Sequence, residues 1–61
     1  MQEEFQEAHQ VGEAMVKYGD SFTKHLGRAL LRADIHNLRK IKETWPEDYE
    51  TYLSLYKMDN Q

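Results

Sequence analysis

Apolar residues recur every three or four positions along nearly the whole chain, and no stretch alternates as a strand does. A period near 3.6 lines one face of a helix, whereas a half-buried strand needs a period of two. The pattern therefore predicts an all-α fold, a small compact bundle of three to four short helices.

Size sharpens that constraint. With 61 residues the chain is short for one domain, so a single helical domain is expected over 1–61. Burial at this size is only just enough for independent folding. There is no cysteine, which removes disulfides and thiolate-bound zinc and suits a reducing compartment. Two supports remain, regular helix packing or self-association. Hydrophobic residues make up 39% of the chain, too many for a disordered tail. The longest apolar run is three residues, as in Ala29-Leu30-Leu31. A membrane span needs about 20 and a signal peptide about 7–15. The N-terminal stretch is acidic, so a cytoplasmic protein with no membrane partner is expected.

Periodicity and caps divide the chain into four segments, approximately 2–18, 20–33, 34–44 and 46–57. Phe5, Ala8, Val11, Gly12, Met15 and Tyr18 mark one face of the first, and Gly19 follows as a stop signal. Asp20 or Ser21 caps the second, whose face is Phe22, Leu26, Ala29, Leu30 and Ala33. Asp34 caps the third, with Ile35, Leu38, Ile41 and Trp45. The alternative is one longer helix kinked near Ala33. Trp45-Pro46 breaks the pattern, since proline disfavours helical geometry just before it and suits a first helical position. Tyr49, Tyr52, Leu53 and Tyr56 then line the fourth, with Met58 to Gln61 expected to fray. The expected core is Phe5, Met15, Phe22, Leu26, Leu30, Leu38, Ile41, Trp45, Tyr49 and Leu53. Gly12 and small residues on the face of the first segment leave three placements open: packing within the bundle, loose docking, or packing against another subunit. Gly12 and Gly27 fall inside helices, where each costs about 1 kcal/mol relative to alanine, which points to close helix–helix approach.

Charge is segregated. Residues 1–16 carry −4, residues 17–42 carry +5 and residues 43–61 carry −4, for a net −3. Lys24, Arg28 and Arg32 are spaced four apart on one helical stripe, and Arg39, Lys40 and Lys42 follow on the third segment. A short-turn helix pair bearing such a stripe is a candidate contact for nucleic-acid phosphates or for an acidic partner. The plainer reading is that acidic outer helices neutralise basic inner ones. Net negative charge opposes DNA approach, and the turn between these helices lacks the glycine common in helix-turn-helix motifs.

Patterns for catalysis are sparse. His9 and Glu13 share a helical side, but two ligands are too few for zinc, and no His-Glu-x-x-His motif occurs. His25 and His36 lie apart from them. Asp20 and Ser21, near His25, read as helix caps rather than as parts of a nucleophilic site. Gly12, Gly19 and Gly27 are isolated and form no phosphate loop. No enzymatic activity, cofactor or metal is expected. Leu31 and Leu55 fall off the main apolar faces, and with Tyr52 and Tyr56 they are the candidate protein interface.

Tyr18-Gly19-Asp20-Ser21-Phe22, Ala29-Leu30, Ala33-Asp34, Asn37, Ile41-Lys42, Trp45-Pro46 and Tyr49 together resemble a pattern in small, mostly uncharacterised helical proteins of phages, prophages and other mobile elements. The resemblance covers roughly residues 18–56. It implies a context and carries over no site residues. The sequence thus leads to a non-enzymatic protein-interaction module, with a protein partner or a homodimer expected. The rival is a small nucleic-acid-binding regulator.

Overall fold

Two aspartates and one proline set the helix boundaries. In the computed structural model, which describes residues 2–60, α1 runs Gln2–Tyr18, α2 Ser21–Arg32, α3 Ile35–Thr44 and α4 Pro46–Asp59. Asp20, in extended backbone, accepts the Thr23 N–H at 2.9 Å. Asp34 accepts the Asn37 N–H at 2.9 Å. Each bond satisfies a donor that a helix start leaves without an intrahelical partner. Ala33 is extended between α2 and α3, so these are two helices and not one kinked helix. Trp45 leaves helical geometry at φ −126°, ψ 62°, and Pro46 opens α4 where its missing N–H costs nothing. The end of α4 differs from expectation. Met58 and Asp59 stay helical, and the Asn60 side-chain amide donates to the Tyr56 carbonyl at 2.9 Å. Gln61 lies outside the described residues.

The first helix is the centre of the bundle, so of the placements the sequence left open it takes the one within the monomer. α1 packs on α2 most extensively, then on α4, and it also touches α3. At 1.5 Å per residue its 17 residues span about 25 Å. That nearly equals the long dimension of the 27 × 25 × 18 Å molecule. The radius of gyration of 10.2 Å leaves no element undocked, since a compact chain of this length has about 10.5 Å. Ala8, Val11, Ala14 and Met15 are buried on α1, and Leu26, Leu30, Leu38, Tyr49 and Leu53 close over them.

Two expected core aromatics lie outside this cluster. Phe5 is 43% exposed, and Phe22 is 57% exposed. Ile41 and Trp45 are half-buried and pack against the core from its edge. Phe22 and Ala29 share a flank of α2, about 100° from the strip that α1 covers, at 3.6 residues per turn. Periodicity alone merged flank and strip into one face.

The helices approach closely through glycine. A Cβ on Gly27 would stand 2.7 Å from the Met15 Cβ and 2.8 Å from the Gly12 carbonyl oxygen. A Cβ on Gly12 would stand 2.9 Å from the Leu31 side chain and 3.0 Å from the Gly27 carbonyl. Two helical backbones thus touch where side chains would hold them apart. Gly19 is likewise closed in, with its Cβ position 2.5 Å from the Met15 carbonyl and 2.7 Å from Thr23. It does not adopt a positive φ. Glycine is needed there because a side chain has no room, not because the backbone makes a left-handed turn.

Alanine at position 27 tests this contact. The change gains about 1 kcal/mol of helix propensity. It also forces apart a backbone carbonyl and a buried Cβ, and overpacking of this kind costs about 1–3 kcal/mol. We expect Gly27→Ala to lower stability in urea titration by about 1 kcal/mol, the overpacking cost less the propensity gain. A stabilised variant would show that the helices are not in backbone contact.

Candidate protein-docking groove

Helical geometry divides the six bases of the central segment into two groups. Arg39 and Lys42 lie on the flank of α3 that faces the N-terminal half of α1. Arg39 grips Glu4 with two bonds, Nε to Oε2 at 3.1 Å and a second nitrogen to Oε1 at 2.8 Å. Lys42 Nζ reaches Glu7 Oε1 at 3.5 Å. Lys17, at the other end of α1, donates to Asp59 Oδ2 at 2.8 Å. Acidic and basic helices neutralise one another at these three points, as the plainer reading of the charge pattern expects. Lys24, Arg28, Arg32 and Lys40 are exposed, and among the described residues none of them forms an ion pair. Arg39 and Lys40 are neighbours in sequence, but successive helical residues diverge by about 100°. One therefore turns to α1 and the other to solvent.

Two of these bases, Arg32 and Lys40, border an open, largely apolar groove of about 400 Å3 between α2 and α3. Ala29, Ala33, Ile41 and Trp45 supply its apolar lining, and Arg32, Asn37, Lys40 and Thr44 the polar part. α2 contributes one base, Arg32, and α3 the other, Lys40. Trp45 is placed by the Pro46 break, which holds it at the α3–α4 corner. Its ring meets Phe22 edge-on, with centroids 6.0 Å apart and planes at 62°. Such aromatic pairs prefer this T-shaped arrangement. The Thr44 hydroxyl is spent on the Lys40 carbonyl at 2.7 Å. No buried side-chain nitrogen or oxygen among the described residues lacks a partner, and no protein acceptor meets the Trp45 indole N–H. That donor therefore opens to solvent. Of the groove, the sequence reading held Arg32 and Lys40 as site residues and assigned Trp45 and Ile41 to the core. The signal it carried was an aromatic at a proline corner beside small residues on α2.

Of the candidate interface residues, Leu31 lies on α2, whereas Tyr52, Leu55 and Tyr56, at spacings of three and four, share one side of α4. Leu31 packs beside Gly12 in the α1–α2 contact. Tyr52 packs against the core, and Leu55 is half-buried on α4. Tyr56 lines a smaller hollow of about 150 Å3 with Glu13, Lys17, Tyr18 and Asp59. His25 and His36 are exposed. His9 Nδ1 lies 3.2 Å from Glu13 Oε1 on the exposed side of α1. Among the described residues no three His, Cys, Asp or Glu side chains converge as metal ligands. None of the described helices is long and apolar enough to cross a membrane.

A polar network on the opposite side of α3 fixes the frame behind the groove. Tyr49 is 1% exposed, and its hydroxyl donates to Glu7 Oε1 at 2.9 Å. Lys42 shares that oxygen and stands 5.2 Å above the Tyr49 ring, within cation–π range. α1, α3 and α4 thus meet at one carboxylate.

No protein-family model matches the chain, and neither does any curated protein or solved structure.

The ionic ties predict two pH limits. The Arg39 bond holds the Glu4 carboxyl below its usual 4.5. The Thr23 N–H lowers Asp20, and Lys17 lowers Asp59, both from 3.8. A lowered carboxyl stabilises the fold above its unfolded value, and that contribution is lost as pH falls through the folded value. Burial first, then the bond to Glu7, raises the Tyr49 hydroxyl above 10.0. Its contribution is present below that pH and is lost as pH rises beyond it. Melting followed by circular dichroism should therefore show the midpoint falling below about pH 4 and above about pH 10. Glu4→Gln and Asp59→Asn should flatten the acid limb, and Tyr49→Phe the alkaline one. Unchanged limbs in these variants would show the ties to be inactive in solution.

Proposed function

We propose that this protein is a non-enzymatic interaction module that binds another protein through the groove between α2 and α3. The observation that carries this reading is the apolar lining of Ala29, Ala33, Ile41 and Trp45, with Phe22 against Trp45 at its edge, which the fold covers only in part. Folding a chain this small gives little reason to leave a large aromatic pair at the surface. Apolar grooves rimmed by polar residues are the usual form of a recognition surface. The resemblance of residues 18–56 to helical proteins of phages and mobile elements suits an accessory role of this kind.

The nucleic-acid reading keeps one specific support, the unpaired stripe of Lys24, Arg28 and Arg32 on the outer face of α2. The net charge of −3 opposes it. The T-shaped Phe22–Trp45 pair also occupies aromatic surface that would otherwise stack on bases.

Two titrations separate these readings. Anilinonaphthalene sulfonate, an apolar probe carrying one anion, should bind the native protein at a single saturable site. Ala29→Glu, at an exposed helical position inside the groove, should abolish that binding while leaving helicity unchanged. A fluorescent random DNA duplex at low salt should give no anisotropy change. Salt-sensitive duplex binding lost on Arg28→Glu and Arg32→Glu, with no dye site, would replace the interaction module by a phosphate-binding protein.

A further inference from the structure

Resting on that reading, we infer the chemical class of the partner: an acidic amphipathic helix that lays its apolar face in the groove and its carboxylates on Arg32 and Lys40. The groove is bounded by two helices, with Ala29 and Ala33 at the C-terminal end of α2 and Ile41 and Trp45 at that of α3 as its apolar lining. This is the geometry in which a third helix completes a local bundle, with anchors at i, i+3, i+4 and i+7. The charge at the rim selects the sign. Each bounding helix contributes one base without an internal partner, Arg32 from α2 and Lys40 from α3. The adjacent Arg28 extends the same field along α2. Carboxylates flanking the partner's apolar stripe would meet both sides of the groove. The open Trp45 indole N–H and the exposed Asn37 add donors within the groove, where carboxylates or side-chain carbonyls can accept.

The charge pattern also disfavours two other occupants. A second copy docked groove to groove would bring Arg32 and Lys40 of one protomer against the same residues of its partner, a like-charge contact that suppresses pairing. The acids that could reverse this are partly engaged, since Glu4, Glu7 and Asp59 already hold Arg39, Lys42 and Lys17. A nucleic acid would satisfy the bases but would leave Ala29, Ala33 and Ile41 without apolar partners.

Trp45 is the sole tryptophan, so its fluorescence reports on the groove alone. The probe is a tryptophan-free peptide of about 18 residues, long enough to be helical in isolation. It carries leucine at i, i+3, i+4 and i+7 and glutamate on both flanks of that stripe. A second peptide replaces every glutamate by lysine, and a single-stranded oligonucleotide serves as the polyanion control. The acidic peptide should shift the Trp45 emission saturably. The Arg32→Glu, Lys40→Glu double variant should weaken it at least tenfold, by roughly the effect of reversing rim charges. The lysine peptide and the oligonucleotide should give no shift. Ala29→Glu should abolish the response with the fold intact.

No response to the acidic peptide, or an equal response to the lysine peptide, overturns the inference. So does tighter binding of the oligonucleotide, or a concentration-dependent dimer in sedimentation that is lost in Ala29→Glu. The dye titration distinguishes the two levels of failure. Dye bound without peptide leaves the groove as a recognition surface for another class of partner. Neither bound removes the groove itself.

Discussion

The contact between Gly12 and Gly27 is the constraint on which the rest of the structure depends. A chain of 61 residues without a disulfide has few side chains to spare. Bringing two backbones together raises the packing obtained from each one that is buried. Once α1 and α2 touch at those glycines, Val11, Met15, Leu26 and Leu30 close the same seam. α4 then covers the remaining side of α1 with Tyr49 and Leu53. α3 is the lightly held member: Leu38 anchors it in the core, and Arg39–Glu4 and Lys42–Glu7 tie its flank to α1. Exposed pairs of this kind contribute little individually, so they orient α3 more than they hold it.

That arrangement explains why an open groove lies between α2 and α3. α1 occupies one face of α2 completely, and the short Ala33–Asp34 connection keeps α3 beside α2 without covering its flank. The flank that carries Phe22, Ala29 and Ala33 is left over. Trp45, fixed by Pro46 at the corner, closes one end of it. The proposed docking surface thus lies where the fold's own packing stops.

Much of this was legible in the residues themselves. Asp20, Asp34 and Pro46 set boundaries by local chemistry that tertiary context did not override. Gly12 and Gly27 announced close approach, because a glycine inside a helix is costly unless space demands it. The exposure of Phe5 and Phe22 was not legible. A hydrophobic period identifies an apolar arc but not which part of it a neighbour covers. The place of α1 was open for a related reason. Its small residues are compatible with loose docking or with another subunit, and only the fold shows that Gly12 admits the α2 backbone. Nor could the sequence divide Arg39 from Lys40, since pairing with Glu4 depends on how α3 lies against α1.

Native-state hydrogen exchange followed by NMR tests the central claim most directly, because it ranks local stability residue by residue. If the glycine seam is the keystone, the slowest amides are those of Val11 to Met15 on α1 and Leu26 to Leu30 on α2. They should exchange together by global unfolding, and the amides of α3 should open sooner. Fast exchange along α1, or slowest exchange confined to α4, would contradict the account and return α1 to the role of a loosely docked helix.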